Sequence, residues 1–218
     1  GIIAGEKIKL ENLLQAMLIS SANEAANIIA ENIAESREEF IRMMNSKAKQ
    51  LGALNTRFAN ASGIHDESHF TTASDMAKIA RYAMTFPKFR EIVATKTFTM
   101  QPTNKHSKWE TLSNTNRLLL NNTSELYRVT GLKTGFTGPA GYNLIATAVD
   151  DSGMELMSVV MCVKNEGARE NVVKYSQQLL DYGFENYKKV SLVEKGKVFR
   201  NVKVLDAADI YGLDLIIS

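Results

Sequence analysis

Residues 129–143, VTGLKTGFTGPAGYN, set one lysine, three threonines and four glycines between two apolar runs. Three readings compete for this stretch: a phosphate cradle, a tight turn, or a strand that carries chemistry. A phosphate-binding loop needs glycine directly before its lysine, in the pattern G-x-x-x-x-G-K-[ST]. Leu132 stands there instead, so that reading fails. A hairpin turn explains Gly135, Gly138 and Gly141. It leaves the Lys133–Thr134 pair unexplained. A strand that carries chemistry gives the pair a use, and the strand-like run YNLIATAV lies behind it.

The rest of the chain supports a sheet with helices around it. At 218 residues, with 44% hydrophobic and 23% charged side chains, it can bury a core. Twenty-six basic and 24 acidic side chains nearly cancel, which argues against a dedicated nucleic-acid binder. A single cysteine, Cys162, excludes an internal disulfide. Its apolar neighbours, MELMSVVMCV, predict a buried small hydrophobe. No run of 18 apolar residues occurs, so membrane association would rest on segments outside this chain.

Helical spacing dominates the first half. Residues 10–34 carry apolar positions on both sides of a polar break, SSAN, which predicts helix, interruption, helix. A capping box, Ser36 with Glu39, opens a helix that Gly52 ends. TASDMAKIARYAMTF predicts an amphipathic helix stopped by Pro87. Residues 94–102 alternate and predict a strand, and residues 103–126 read mostly as loop. Two strands joined at DDSG and a closing helix, GARENVVKYSQQLLDYGFENY, follow. Helices, then an antiparallel meander, then a helix define an α/β (α+β) class. Residues 1–187 form the first domain in this reading. Residues 188–218, β-branched and alternating, read as the start of a small β-sandwich that 30 residues cannot complete.

Two short elements in this layout are chemically suggestive. K-T-G at 133–135 matches an element of serine acyl-transferring enzymes that act on penicillin-like substrates. There Lys133 and Thr134 offer a cation and a hydroxyl to a carboxylate, Gly135 lets a substrate backbone approach, and the N–H of Phe136 can face a developing oxyanion. Upstream, Ser21 and Asn23 in SSAN can cap the second helix. They also match the S-x-N element that accompanies K-T-G. The stretches ISSANEAANIIAE, NTNRLLL and VTGLKTGFTGPAGYNLIATA together make the chain resemble the low-molecular-weight penicillin-binding proteins, the D-alanyl-D-alanine carboxypeptidases. The resemblance covers roughly residues 5–187. It implies a β-lactamase/DD-peptidase-like fold and a serine-type activity that removes the terminal D-alanine from peptidoglycan stem peptides ending in D-Ala-D-Ala. It implies inhibition by β-lactams, a place in the bacterial cell envelope outside the cytoplasm, and no metal or organic cofactor. Ser21, Asn23 and Lys133 would be catalytic; Thr134, Gly135 and Phe136 would bind substrate.

The resemblance also implies an S-x-x-K element, bearing the nucleophilic serine and an activating lysine. One match exists, Ser46-Lys47-Ala48-Lys49. It follows S-x-N, whereas the family's nucleophile precedes it, and it falls on the solvated face of the capped helix. The nucleophile is therefore expected upstream of Gly1, and these 218 residues alone are expected to be inactive. The opening GIIAGEKIKL reads as the middle of a longer chain. Two other readings stay open: a class A-like β-lactamase, against which the strand-rich extension speaks, and a peptidoglycan-binding module that kept the cleft and lost its nucleophile. His65, Asp66 and His69 suggest loop hydrogen bonding before a metal site. Arg117 can charge the cleft or form a structural ion pair, and Trp109 reads as packing.

Overall fold

The structure is a computed structural model that describes residues 1–190, 192, 196–202 and 213–216. The chain divides into two compact units, Gly1–Asn186 and Tyr187–Ser218. In chain order the first unit comprises α1 (Leu10–Ile19), α2 (Asn23–Ile33), α3 (Arg37–Gln50), α4 (Ala73–Ala83) and α5 (Pro87–Val93). Then come β1 (Thr97–Thr99), β2 (Thr111–Ser113), α6 (Arg117–Asn121), β3 (Arg128–Thr137), β4 (Gly141–Val149), β5 (Glu155–Val163) and α7 (Ala168–Asn186). In the second unit β6 (Val198–Val202) pairs antiparallel with β7 (Leu213–Ile216). The remainder of the expected β-sandwich start lies outside the described residues.

The sheet is the antiparallel meander β3-β4-β5, with β3 and β5 at its edges. Alternation along β4 divides the core. Leu144, Ala146 and Ala148 pack with Val172 and Leu180 of α7 and with Leu118 and Leu119 of α6. Ile145, one residue out of phase, packs on the other face with Ala80 of α4, Met84 at its C-cap and Val93 of α5. Period-two geometry makes a strand with helices on both sides read as a nearly continuous apolar run. That is why YNLIATAV reads so clearly. A third cluster joins α1 and α2 to β1 and β2 through Leu13, Ala25, Ile29 and Met100. The mixed helical and antiparallel architecture is the α+β arrangement expected from the sequence.

Several local expectations change. Ser36 caps α3 by accepting from the Glu39 N–H, and Gly52 follows with φ +75°. The Glu39 side chain pairs with Arg42. Pro87 ends no helix; it opens α5 at the first turn, where its missing N–H costs nothing. Strand β1 keeps only three of the expected nine residues. The region read as loop contains β2 and α6. Both elements are too short for periodicity to register, and α6 is nucleated by fully buried Asn116, whose Oδ1 accepts from the N–H groups of Leu118 and Leu119. Cys162 is exposed, not buried. It adopts φ +61° where the β4–β5 register shifts between Tyr142 and Leu144, and the bulge turns the thiol outward from an otherwise apolar strand.

Candidate active site

The break between α1 and α2 is a turn centred on Ser21, which holds φ +63°. A left-handed conformation costs a non-glycine residue about 1 kcal/mol or more. The turn is closed by the Ala22 N–H returning to the Ala16 carbonyl. Capping does not explain the polar pair. Ala22 occupies the N-cap of α2, with no side-chain cap, and Asn23 is already the first helical residue. The Ser21 hydroxyl is directed elsewhere: the Lys133 Nζ donates to Ser21 Oγ at 2.9 Å, across 112 residues of sequence.

Strand β3 carries Lys133, Thr134, Gly135 and Phe136 along an edge of the sheet, paired with Ile145, Leu144, Asn143 and Tyr142 of β4. Among the described residues no strand lies on its other side, so alternate N–H groups face away from the sheet. Lys133 also donates to the Thr134 carbonyl at 2.9 Å. Burial pulls its ammonium down from 10.5 to about 8. It therefore remains mostly protonated at neutral pH yet gives up a proton far more readily than a surface lysine.

A cavity of about 430 Å³ opens between the α1–α2 turn, β3 and α7. Ser21, Asn23, Thr134, Gly135 and Phe136 all line it, and Lys133 reaches it through Ser21. Among the described residues the Asn23 side-chain amide has no hydrogen-bond partner, and it faces the cavity. A Cβ added at Gly135 would meet only the Asn143 Cβ at 4.0 Å, so the protein itself does not exclude a side chain there. Glycine instead leaves open space for a molecule lying along the strand. Phe136 is 58% exposed, with its ring 4.3 Å from that of Tyr142.

Other cleft residues, Arg117 apart, escaped the sequence. Thr115 Oγ1 lies 2.6 Å from Thr134 Oγ1. It is held in place because its N–H donates to the Ile19 carbonyl and because Asn114 ties the segment to the Val93 and Thr95 carbonyls. Arg117 fills both roles left open for it: it lines the cavity and pairs with Glu170 of α7 at 2.9 Å. Asn143 donates to the Gly135 and Gly141 carbonyls and accepts from the Cys162 N–H, tying the hairpin to the β5 bulge. Arg169 completes the rim. No local pattern marks Asn143 or Arg169 as cleft residues; only the fold gathers them with Thr115 and Arg117.

The remaining candidates lie apart. Ser46 is exposed on α3 and does not line the cavity, and Lys47 sits over the Tyr82 ring at 5.3 Å. His69 Nδ1 accepts from the Ala59 N–H at 3.4 Å, while Asp66 accepts from Ser68. Burial lowers the His69 pKa below its ordinary value. Trp109 packs against the α1–α2 cluster, as expected, and its ring lies 4.2 Å from that of His106.

Known proteins resemble this chain in sequence and fold. A family profile described as D-alanyl-D-alanine carboxypeptidase matches residues 2–165. D-alanyl-D-alanine carboxypeptidase DacF of Bacillus subtilis (strain 168) is 33% identical over 201 residues, which cover 92% of this chain and 49% of that protein. The crystal structure of penicillin binding protein 5 from Haemophilus influenzae matches with a TM-score of 0.75 at 32% identity, over 94% of this chain and 56% of that one. Penicillin-Binding Protein D2 from Listeria monocytogenes, in its cefotaxime-bound form, matches with a TM-score of 0.64 at 30% identity, over 78% of this chain and 66% of that one. The chain spans about half the length of the curated relatives it matches. With the family profile extending from the N-terminal segment through the whole meander, the chain belongs to the D-alanyl-D-alanine carboxypeptidase family, the low-molecular-weight penicillin-binding proteins.

Proposed function

We propose that the cleft is one wall of the active site of a serine-type D-Ala-D-Ala carboxypeptidase. The observation that carries this reading is the Lys133–Ser21 hydrogen bond at 2.9 Å beside an open edge strand. Lys133 and Thr134 bind the carboxylate of the terminal D-alanine of a peptidoglycan stem. Asn23 orients the substrate amide, Gly135 admits its backbone, and the Phe136 N–H faces the oxyanion. The attacking serine and its lysine belong to a part of the whole protein outside these 218 residues, because the S-x-x-K at Ser46 lies away from the cleft. That serine adds to the carbonyl of the penultimate D-alanine. As the C–N bond breaks, the Ser21 hydroxyl gives its proton to the leaving amine and Lys133 replaces it. A lysine held near 8 suits this relay, since it donates at neutral pH without a large penalty. Water then hydrolyses the acyl-enzyme.

A β-lactam presents the same carboxylate and a strained amide to the same groups, so it acylates the serine and blocks the site. The cefotaxime-bound relative supports this part of the reading. Such a substrate places the protein in the cell envelope, outside the cytoplasm. No helix among the described residues is long and apolar enough to cross a membrane. Residues 188–218 open a second, β-rich domain in this reading.

The test is D-alanine release from an N-acylated D-Ala-D-Ala peptide by the full-length protein and by its Lys133→Ala variant. Loss of proton transfer and charge stabilisation should lower kcat/KM at least about 100-fold. A variant within severalfold of wild type would refute the assignment. Saturable peptidoglycan binding by a wild-type protein that releases no D-alanine would favour a binding module instead.

A further inference from the structure

Ser21 is placed for more than passing a proton on. Its neighbour Ser20 is taken up by the backbone: the hydroxyl donates to the Ala16 carbonyl at 2.9 Å, one turn back along α1. Ser21 makes no such bond. At φ +63° it leaves the helix path, and it stands exposed on the wall of the cavity of about 430 Å³. A strained turn that bares a serine oxygen is one way a fold presents a nucleophile. The Oγ has one partner among the described residues, the Lys133 Nζ at 2.9 Å.

Lys133 is suited to act on that oxygen as a base. No carboxylate pairs with its amine among the described residues, and burial alone draws it down to about 8. At pH 7 about a tenth of the amine is neutral, and the neutral form accepts along the line on which the ammonium donates. Asn23, two residues on, lines the same cavity. Its side-chain amide has no hydrogen-bond partner among the described residues, so its N–H groups can meet a developing oxyanion. The other ionisable side chains on the cavity are Arg117, which Glu170 pairs, Arg169 and Tyr142. Among the described residues Lys133 is therefore the amine that reaches this cleft.

We propose that Ser21 and Lys133 form a nucleophilic serine–lysine dyad, a second acyl-accepting site that reacts with small uncharged carboxylic esters. This goes beyond the carboxypeptidase reading, in which Ser21 only relays a proton. Ser21 Oγ adds to the ester carbonyl while neutral Lys133 takes the hydroxyl proton. The bond from the carbonyl carbon to the alkoxide oxygen breaks, and the Lys133 ammonium protonates the departing alkoxide. Water then adds to the acyl group on Ser21. Lys133 takes its proton and returns it to Oγ, so ester and water become acid and alcohol. A carboxylate on the ester would hold Lys133 in its charged form, which is why uncharged esters fit.

Phenylmethanesulfonyl fluoride, an uncharged acyl-donor analogue whose product on serine persists, reads the dyad directly. The Ser21 oxygen displaces fluoride, and Lys133 takes the hydroxyl proton. Full-length wild type and Lys133→Met are labelled between pH 6 and 9.5 and digested with trypsin. Residues 10–37 form one tryptic peptide with serines at 20, 21 and 36 and no lysine, threonine, tyrosine or cysteine, so fragment masses assign a label there to one serine. Ser21 should be labelled and Ser20 should not. The rate should rise about tenfold per pH unit below about 8 and then level off, as the neutral amine becomes the major form. Lys133→Met should slow labelling about 100-fold. In wild type, p-nitrophenyl acetate should slow it too, because the ester acylates the same oxygen. A bare Ser21 in the recovered peptide, a label indifferent to Lys133→Met or to the ester, or a rate still climbing at pH 9.5 would overturn the dyad. D-alanine release tests the carboxypeptidase reading separately, so either can fail alone.

Discussion

Replacing Lys133 with methionine should stabilise the fold at neutral pH while it abolishes turnover. The reason is the cost of keeping a charged amine inside the cleft. Burial lowers the ammonium from 10.5 to about 8, so the unfolded chain binds the proton more tightly than the native protein does. Between those two values the unfolded state holds more protons, and wild-type stability rises with pH. The gap of about 2.5 pH units, at about 1.36 kcal/mol per unit, sets a ceiling of about 3 kcal/mol for the cost at pH 7. Methionine, of similar shape, escapes that cost. It forfeits the hydrogen bonds to Ser21 Oγ and the Thr134 carbonyl, each worth about 0.5–1.5 kcal/mol net. The variant should therefore be about 1 kcal/mol more stable than wild type at pH 7. By pH 9.5 the wild-type lysine is neutral when folded, about 2 kcal/mol of the cost is gone, and the order should reverse. Urea unfolding of both full-length proteins at pH 7, 8 and 9.5 measures this. A stability difference that does not change with pH would refute the reasoning, because it would mean the native lysine keeps its ordinary affinity for protons.

Three further outcomes follow from the same geometry. Thr115→Val removes the hydroxyl 2.6 Å from Thr134 Oγ1; kcat/KM for D-Ala-D-Ala peptides should fall about 5- to 10-fold, measured by D-alanine release, with stability changed by less than about 1 kcal/mol. Gly141→Ala forces a left-handed alanine at φ +71° and drives its Cβ to 2.7 Å from the Val163 carbonyl; a loss of about 2–4 kcal/mol should appear in urea titrations. Asp75 is fully buried and accepts from Lys78, the Asn55 N–H and Thr56, and the Lys78 hydrogen bond first among these holds its carboxyl below the usual range. That stability is present above the unfolded carboxylate pKa and is lost as pH falls through the lower folded value, so Asp75→Asn should be less stable at pH 7 and should show a flatter stability profile below pH 4.

Much of this protein was legible as sequence. The SSAN break, the capped α3, the β4–β5 hairpin and α7 all rest on local rules: apolar periodicity, a serine three residues before glutamate, turn residues between apolar runs. Such rules act over one or two turns of backbone, so they survive without tertiary context. K-T-G and S-x-N were readable as a pair for the same reason, each being a contiguous string.

What the fold alone decided was spatial. Whether Ser21 capped a helix or met a lysine depended on where β3 lay, and the Lys133 Nζ settled it from 112 residues away. Thr115 and Arg117 reach the cleft from the entry to α6, Asn143 from β4 and Arg169 from α7. Cys162 sat in an apolar string that predicted burial, yet a bulge in one strand register turned it to solvent. Side-chain chemistry and local propensity are written residue by residue. Edge position, bulges and desolvation arise only when distant segments pack, and these convert an ordinary Lys-Thr-Gly into a cation near 8 beside an open strand.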